Sequence, residues 1–182
     1  MTAHRPDWRP GDERPDIDSM IRVDQAGEYG ATRIYAGQLA VLGEEHPAAH
    51  TIARMALQEK RHLDHFDQLM TDRGIRPTIL QPVWNVAGHA LGAVTALISP
   101  RAAMACTAAV ETEIDKHYSE QLRALGNEDP DLSGTITEFQ AEELEHRETA
   151  IAAGAENTLG YPILSALIRA GCRAAIEVSK RI

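Results

Sequence analysis

The chain has 182 residues, enough for one domain with a full core or at most two small ones. Hydrophobic residues make up 43% and aromatics only 4%, with many Ala, Leu, Ile, Glu and Arg, a mix that favours helices over sheets. A net charge of −9 argues against a nucleic-acid binder, which needs a basic face, and two cysteines (Cys106 and Cys172) without a Cys-x-x-Cys exclude a disulfide framework and point to a reducing compartment.

Residues 1–17, with Pro6, Pro10 and Pro15 among alternating charges and no apolar signal core, read as a flexible arm. The chain is expected to be a bacterial cytoplasmic protein or one written without its targeting segment. Beyond the arm, breakers divide a helical periodicity, and no run of alternating β-branched residues suggests a strand. A first helix is expected from about Ile17 to Leu42, before Gly43, and a second from Pro47, suited to a first turn, to Arg73, before Gly74. A third, apolar piece lies between Pro82 and Pro100. A fourth covers about Pro100 to Leu125 and stops at Gly126. A fifth follows Asp129-Pro130 and ends near Gly154, and the last runs from near Pro162 to the C-terminus. Residues 18–182 are expected to form one all-α domain.

The chain repeats itself. Ile21, Glu28, Tyr35 and Leu42 fall seven apart in the first helix, as do Met104, Glu111, Tyr118 and Leu125 in the fourth. The second helix carries a seam of Ile52, Met55, Glu59, His62, Phe66 and Leu69. The fifth carries Leu132, Ile136, Phe139, Glu143, His146, Ala150 and Ala153. Each half is a helix with one seam Glu followed by a helix with a seam Glu-x-x-His.

In a chain with 27 acidic residues and 8 His, a Glu-x-x-His match carries little by itself, and a solvated pair is the ordinary reading. Position changes that. Glu28, Glu59, Glu111 and Glu143 all lie where core residues belong, and a buried unpaired carboxylate costs several kcal/mol. The same stripes offer few Lys or Arg. Two divalent cations would cancel four carboxylates, and His62 and His146 would add nitrogen donors without charge. A Glu from each of two helices plus Glu-x-x-His from two others is the ligand set of di-iron and di-manganese bundles. Mixed carboxylate and imidazole ligation suits iron or manganese better than zinc.

The blocks "IRVDQAGEYGATRIYAGQLAVL", "QEKRHLDHF", "MACTAAVETEIDKHY", "EELEH" and "AGCRAAIEVS" resemble the demethoxyubiquinone hydroxylase family of ubiquinone biosynthesis, from about Asp18 to Ile182. The resemblance implies a ferritin-like four-helix bundle with Glu28, Glu59, His62, Glu111, Glu143 and His146 as ligands, and no ligand position departs from the family pattern. It implies a di-iron monooxygenase that uses O2 to hydroxylate the ring of a polyprenylated demethoxy-benzoquinol, with reducing equivalents from NADH or the quinol. His117 and Tyr118 match a His-Tyr pair that the family places near the centre, with a role in proton or electron transfer. For His117 a hydrogen-bonded core histidine is the competing reading, and Tyr118 and Tyr35 can simply pack or bond a ligand. The resemblance also implies a lipid-binding partner protein that delivers the quinone, while oligomeric state, including a homo-oligomer, stays open. The alternatives are a ferritin- or rubrerythrin-like protein that handles iron or peroxide without organic substrate, and a metal-free helical lipid binder.

From Pro77 to Pro100 there is no charged residue, but the helical part, Val83 to Ile98, is roughly 24 Å long against a bilayer core of about 30 Å. In the last helix Arg169, Arg173 and Lys180 fall on one face, with Ile163, Leu164, Leu167, Ile168, Ala175, Ile176 and Val178 mostly opposite. Residues 161–182 carry +3 (Arg169, Arg173, Lys180 and Arg181 against Glu177). Together these two helices predict a protein lying in the interface of an anionic membrane, unless they only cover the bundle or form a dimer contact. The expected place is the inner membrane, on the cytoplasmic side in a bacterium or the matrix side of a mitochondrion. Trp84 is an interfacial anchor or plain core; His89 is not needed as a ligand.

Overall fold

A computed structural model describes residues 15–181, so the arm expected over residues 1–17 lies largely outside the described residues. The described residues form six α-helices and no strand: α1 (Ile17–Leu42), α2 (Pro47–Arg73), α3 (Gln81–Ile98), α4 (Pro100–Leu125), α5 (Pro130–Ala152) and α6 (Tyr161–Ser179). Local chemistry sets the ends. Asp16, Ser99 and Asp129 accept hydrogen bonds from the amides of Ser19, Ala102 and Leu132, and prolines sit in the first turns of α2 to α6. Gly74 closes α2 in the left-handed conformation, at φ 67°. Because α5 stops at Ala152, Ala153 lies past the seam and is exposed, and Leu42 and Leu69 are only half-buried.

Two hairpins, α1–α2 and α4–α5, make the four-helix bundle, with α1 also packed on α4. They are related by a near-constant offset: Glu28, Tyr35 and Gln38 of α1 recur as Glu111, Tyr118 and Gln121 of α4, and Glu59 and His62 of α2 as Glu143 and His146 of α5. Hydrogen bonds obey the same relation. Gln38 Nε2 donates to the Ala103 carbonyl at 3.1 Å and Gln121 Nε2 to the Met20 carbonyl at 3.4 Å. The sequence repeat is therefore a structural two-fold.

Apolar side chains close the bundle at both ends of the seam carboxylates. One plug contains Ile21, Phe66, Leu125, Ile136 and Phe139; the other contains Ile52, Met55, Met104, Ala108 and Ala150.

Helix α3 lies against α1 closely enough that only glycine fits. A Cβ at Gly92 would fall 1.9 Å from the Ile34 carbonyl oxygen, and one at Gly37 would fall 2.1 Å from that of His89. Helix α6 is held on α4 by charge. Glu113, buried in α4, accepts from Arg169 Nε at 2.6 Å and Arg173 Nη1 at 2.9 Å. Arg169 and Arg173 of the basic face expected to meet anionic lipid are thus paired with Glu113 while staying half-exposed, and Lys180 pairs with Glu177 on the surface. The apolar half of that expectation is present on the surface: Val83, Val86, Val94, Leu97 and Ile98 of α3, and Ile163, Leu167 and Val178 of α6, are exposed.

The α1–α3 contact makes a direct prediction. Gly92→Ala should destabilise the chain by about 1–3 kcal/mol, because backbone must move to admit one methyl. Gly134→Ala, whose Cβ meets nothing, should be neutral or stabilising by up to about 1 kcal/mol. Denaturant unfolding of both variants checks this.

Candidate metal centre

The periodicity that leaves Ile52 and Phe66 in the core carries Glu59 and His62 there with them, and the same holds for Glu143 and His146 between Phe139 and Ala150. Glu28 and Glu111 enter from α1 and α4. All six predicted ligands are between 0% and 4% exposed. Their donor atoms gather in two groups, each within 4.8 Å: Glu28, Glu59, His62 and Glu143 in one, Glu59, Glu111, Glu143 and His146 in the other. Glu59 and Glu143 belong to both, as carboxylates bridging two cations would.

The imidazoles turn Nδ1 inward. His62 Nδ1 lies 2.8 Å from Glu143 and 3.4 Å from Glu28, and His146 Nδ1 lies 3.1 Å from both Glu59 and Glu143. Their Nε2 atoms face outward, that of His62 2.7 Å from Glu142 and that of His146 3.0 Å from Gln58 Oε1. Two tyrosines cross the bundle reciprocally. Tyr118 of α4 donates to Glu28 of α1 at 2.5 Å, and Tyr35 of α1 donates to Glu111 of α4 at 3.1 Å.

Charge in this space is unbalanced without a cation. Burial, then Glu143, then Glu28 push the Glu59 carboxyl well above the usual carboxylate range; burial and Glu143 do the same to Glu111, and burial raises Glu28. Glu143 goes the other way. Burial disfavours its charge, but His146 and His62 outweigh that and hold its pKa at about 2. For His62, burial opposes the imidazolium, yet Glu143 and Glu28 raise its pKa to about 10. These directions favour protons as counter-charge where no cation is bound. Glu59 Oε1, His62 Nδ1 and Glu143 Oε1 are buried without an aligned hydrogen bond, which is the state of ligand atoms aimed at a cation. The donor set fits two hard divalent ions.

His117 is placed one step further out. Its Nε2 lies 3.1 Å from buried Asp24 of α1, which also accepts from Gln121 at 2.8 Å, and it touches none of the six ligands by a hydrogen bond. Tyr118 does reach the centre, through Glu28. Reading the sequence alone missed Asp24, Gln58, Gln121 and Glu142. A signal existed: Asp24 precedes Glu28 by one turn, and Gln58 and Glu142 each immediately precede a seam Glu.

An apolar cavity of about 500 Å³ runs between α1, α3, α4 and α6. Trp84 forms part of its wall, with Ile34, Leu91, Val110, Leu167 and Cys172; burial pushes the Cys172 thiol up to about 12 and so keeps it protonated. A crevice too narrow for a water molecule, lined by Ala31, Ile34 and Val110 on the cavity side and by Tyr35, Thr107 and Glu111 on the carboxylate side, separates the cavity from the centre. His89 is half-buried on α3 and lies outside the ligand groups.

Residues 15–179 match the family model described as ubiquinone biosynthesis protein COQ7. The chain is 51% identical to the 3-demethoxyubiquinol 3-hydroxylase of Rhodospirillum rubrum, over 97% of this chain and 84% of that protein. It is 50% identical to the human NADPH-dependent 3-demethoxyubiquinone 3-hydroxylase, mitochondrial, over 93% of this chain and 79% of that one. It is 42% identical to the 5-demethoxyubiquinone hydroxylase, mitochondrial, of Saccharomyces cerevisiae, over 91% and 78%. With the buried Glu/His centre and its adjoining apolar cavity in place, the match extends over nearly the whole helical part: the chain belongs to the COQ7 family of ubiquinone biosynthesis proteins.

Proposed function

We propose that this chain hydroxylates the ring of a polyprenylated demethoxyubiquinol with O2, on two irons held by Glu28, Glu59, His62, Glu111, Glu143 and His146. The observation that carries the reading is the apolar cavity set directly against the buried carboxylate centre, with Ala31, Ile34 and Val110 as a wall shared between it and Tyr35 and Glu111. An iron-storage bundle has no need of such a cavity, which disfavours the ferritin-like alternative. Iron would supply the means to activate O2, and the overall change consumes O2 and two electrons to place one oxygen on the ring and release water.

The chain's residues set the conditions for that chemistry. Glu59 and Glu143 hold both positions together, and the two apolar plugs keep water out. The cavity takes the polyprenyl tail and brings the ring to the gap at Glu111. The tyrosines hold Glu28 and Glu111 in orientation by donating to one oxygen of each. Protonated Cys172 on the wall resists oxidation beside a site that handles O2 and a quinone. Electrons come from a reduced nicotinamide or the quinol itself; NADPH is the donor named for the human relative. The exposed apolar side chains of α3 and α6 flank the cavity and lie against the bilayer, where the substrate dissolves. No described helix is long and apolar enough to cross it. A lipid-binding protein would deliver the quinone at the same face.

The experiment is anaerobic iron loading followed by a short-chain demethoxyquinol, a nicotinamide reductant and air. Two irons per chain and a hydroxylated ring are expected; iron oxidation without change in the quinol would support storage instead. Glu143→Ala, which removes a shared ligand, should lose both irons and all turnover, and full iron content with normal hydroxylation would contradict the ligand assignment.

The pKa directions give a second expected outcome. Glu59 and Glu111 are raised, so what they contribute to stability is present while they are protonated and falls as pH climbs above 4.5. His62 contributes fully below 6.5 and loses it through about 10. Glu143 acts oppositely but only toward pH 2. The metal-free chain should lose Tm between pH 6.5 and 10, and iron should flatten that slope. A metal-free Tm that rises over this window would contradict the account.

For the membrane, vesicle binding should survive high salt, because Arg169 and Arg173 are engaged by Glu113. It should weaken in Val86→Ser/Leu167→Ser. Co-sedimentation with vesicles reads both.

A further inference from the structure

The two halves of the bundle match in their six ligands and differ in what stands behind the two imidazoles. By the offset that relates α2 to α5, Gln58 occupies the place of Glu142. His62 Nε2 lies 2.7 Å from the Glu142 carboxylate, which Arg61 grips from outside while also reaching Glu138. His146 Nε2 lies 3.0 Å from an amide oxygen, that of Gln58. Both acceptors fix the proton on the outer nitrogen and leave the Nδ1 lone pair for the centre. Only one of them is a carboxylate.

The surroundings are unequal in the same sense. The Glu28 side has Asp24 and His117 beside it, whereas the symmetry-related positions on the Glu111 side are Thr107 and Ile34, which line the gap toward the cavity. The ring of His62 is also stacked on Phe139 at 4.0 Å, a place that Met55 takes in the other half.

Resting on the two-cation reading above, we propose that Glu142 and Gln58 make the two positions unequal. The position of Glu28 and His62 holds its cation more tightly and fills first. The position of Glu111 and His146 is the weaker one and faces the organic substrate. The cause is donor strength. An imidazole whose outer N–H is given to a carboxylate carries more electron density on its ligating nitrogen than one bonded to a neutral amide, and such partners change metal affinity by about 10–100-fold. Arg61 shares the charge of Glu142, so the low end of that range is expected, about tenfold between the two steps. Glu142 and Gln58 are positioning residues, acting through His62 and His146.

The test is stepwise cobalt(II) titration of the metal-free full chain, followed by calorimetry and visible absorption, with no substrate and no turnover. The native chain should bind two ions in two resolved steps. Glu142→Gln should weaken the tight step and merge it with the second. Gln58→Glu should tighten the weak step and also close the gap, and the double exchange should reverse the order. His146→Ala should keep the tight step and His62→Ala should lose it. Unchanged far-UV circular dichroism and a cooperative unfolding transition in each metal-free variant separate these effects from loss of fold. Two equal steps in the native chain, or steps unmoved by both single exchanges, would overturn the inequality while leaving a two-ion centre standing. Failure to bind two ions at all would overturn the two-cation reading itself, and this inference with it.

Discussion

Four carboxylates buried between four helices repel one another, and the arrangement of the chain follows from how that repulsion is met. Glu28, Glu59, Glu111 and Glu143 have no Arg or Lys among them, although Arg61, Arg169 and Arg173 each find an acid elsewhere. The basic groups that do face the four acids are two imidazoles, and their pull is what keeps Glu143 ionised. Without cations the centre must hold protons on groups that would otherwise release them. Two divalent ions would remove the conflict, and six residues at fixed helical spacing gather their donor atoms into two groups that could hold them.

Everything outside the bundle serves that interior. Glycines at 37 and 92 let α3 lie almost backbone to backbone on α1, and the Glu113 clamp holds α6 on α4. Those two attachments create the apolar cavity between them. The same two helices expose their remaining apolar side chains outward. One geometry thus places an exposed apolar surface, an apolar cavity and a buried polar centre side by side.

Much of this was legible in the sequence because burial and periodicity are local properties. Helix ends were marked by Pro47, Gly74, Pro100 and Asp129, and the seam residues stood out as acids and histidines at core spacing. What escaped depended on partners from other helices. Glu113 sits two residues after Glu111 and off the seam, so nothing in its own helix says it is buried, and nothing in α6 says that Arg169 and Arg173 pair with it. Gln58 and Glu142 were visible as neighbours of seam glutamates, but their contact with an imidazole is made across the bundle, α5 to α2 and α2 to α5. Asp24 had the strongest signal, being one turn before Glu28 on the same stripe.

The most direct measurement is anomalous diffraction at the iron edge from crystals of the iron-loaded chain. The account predicts two peaks about 3.5–4 Å apart, the spacing usual for paired metal ions, with Glu59 and Glu143 between them and one imidazole Nδ1 on each. A single peak, or iron bound only at surface carboxylates with Glu59 and Glu143 left facing each other, would contradict it.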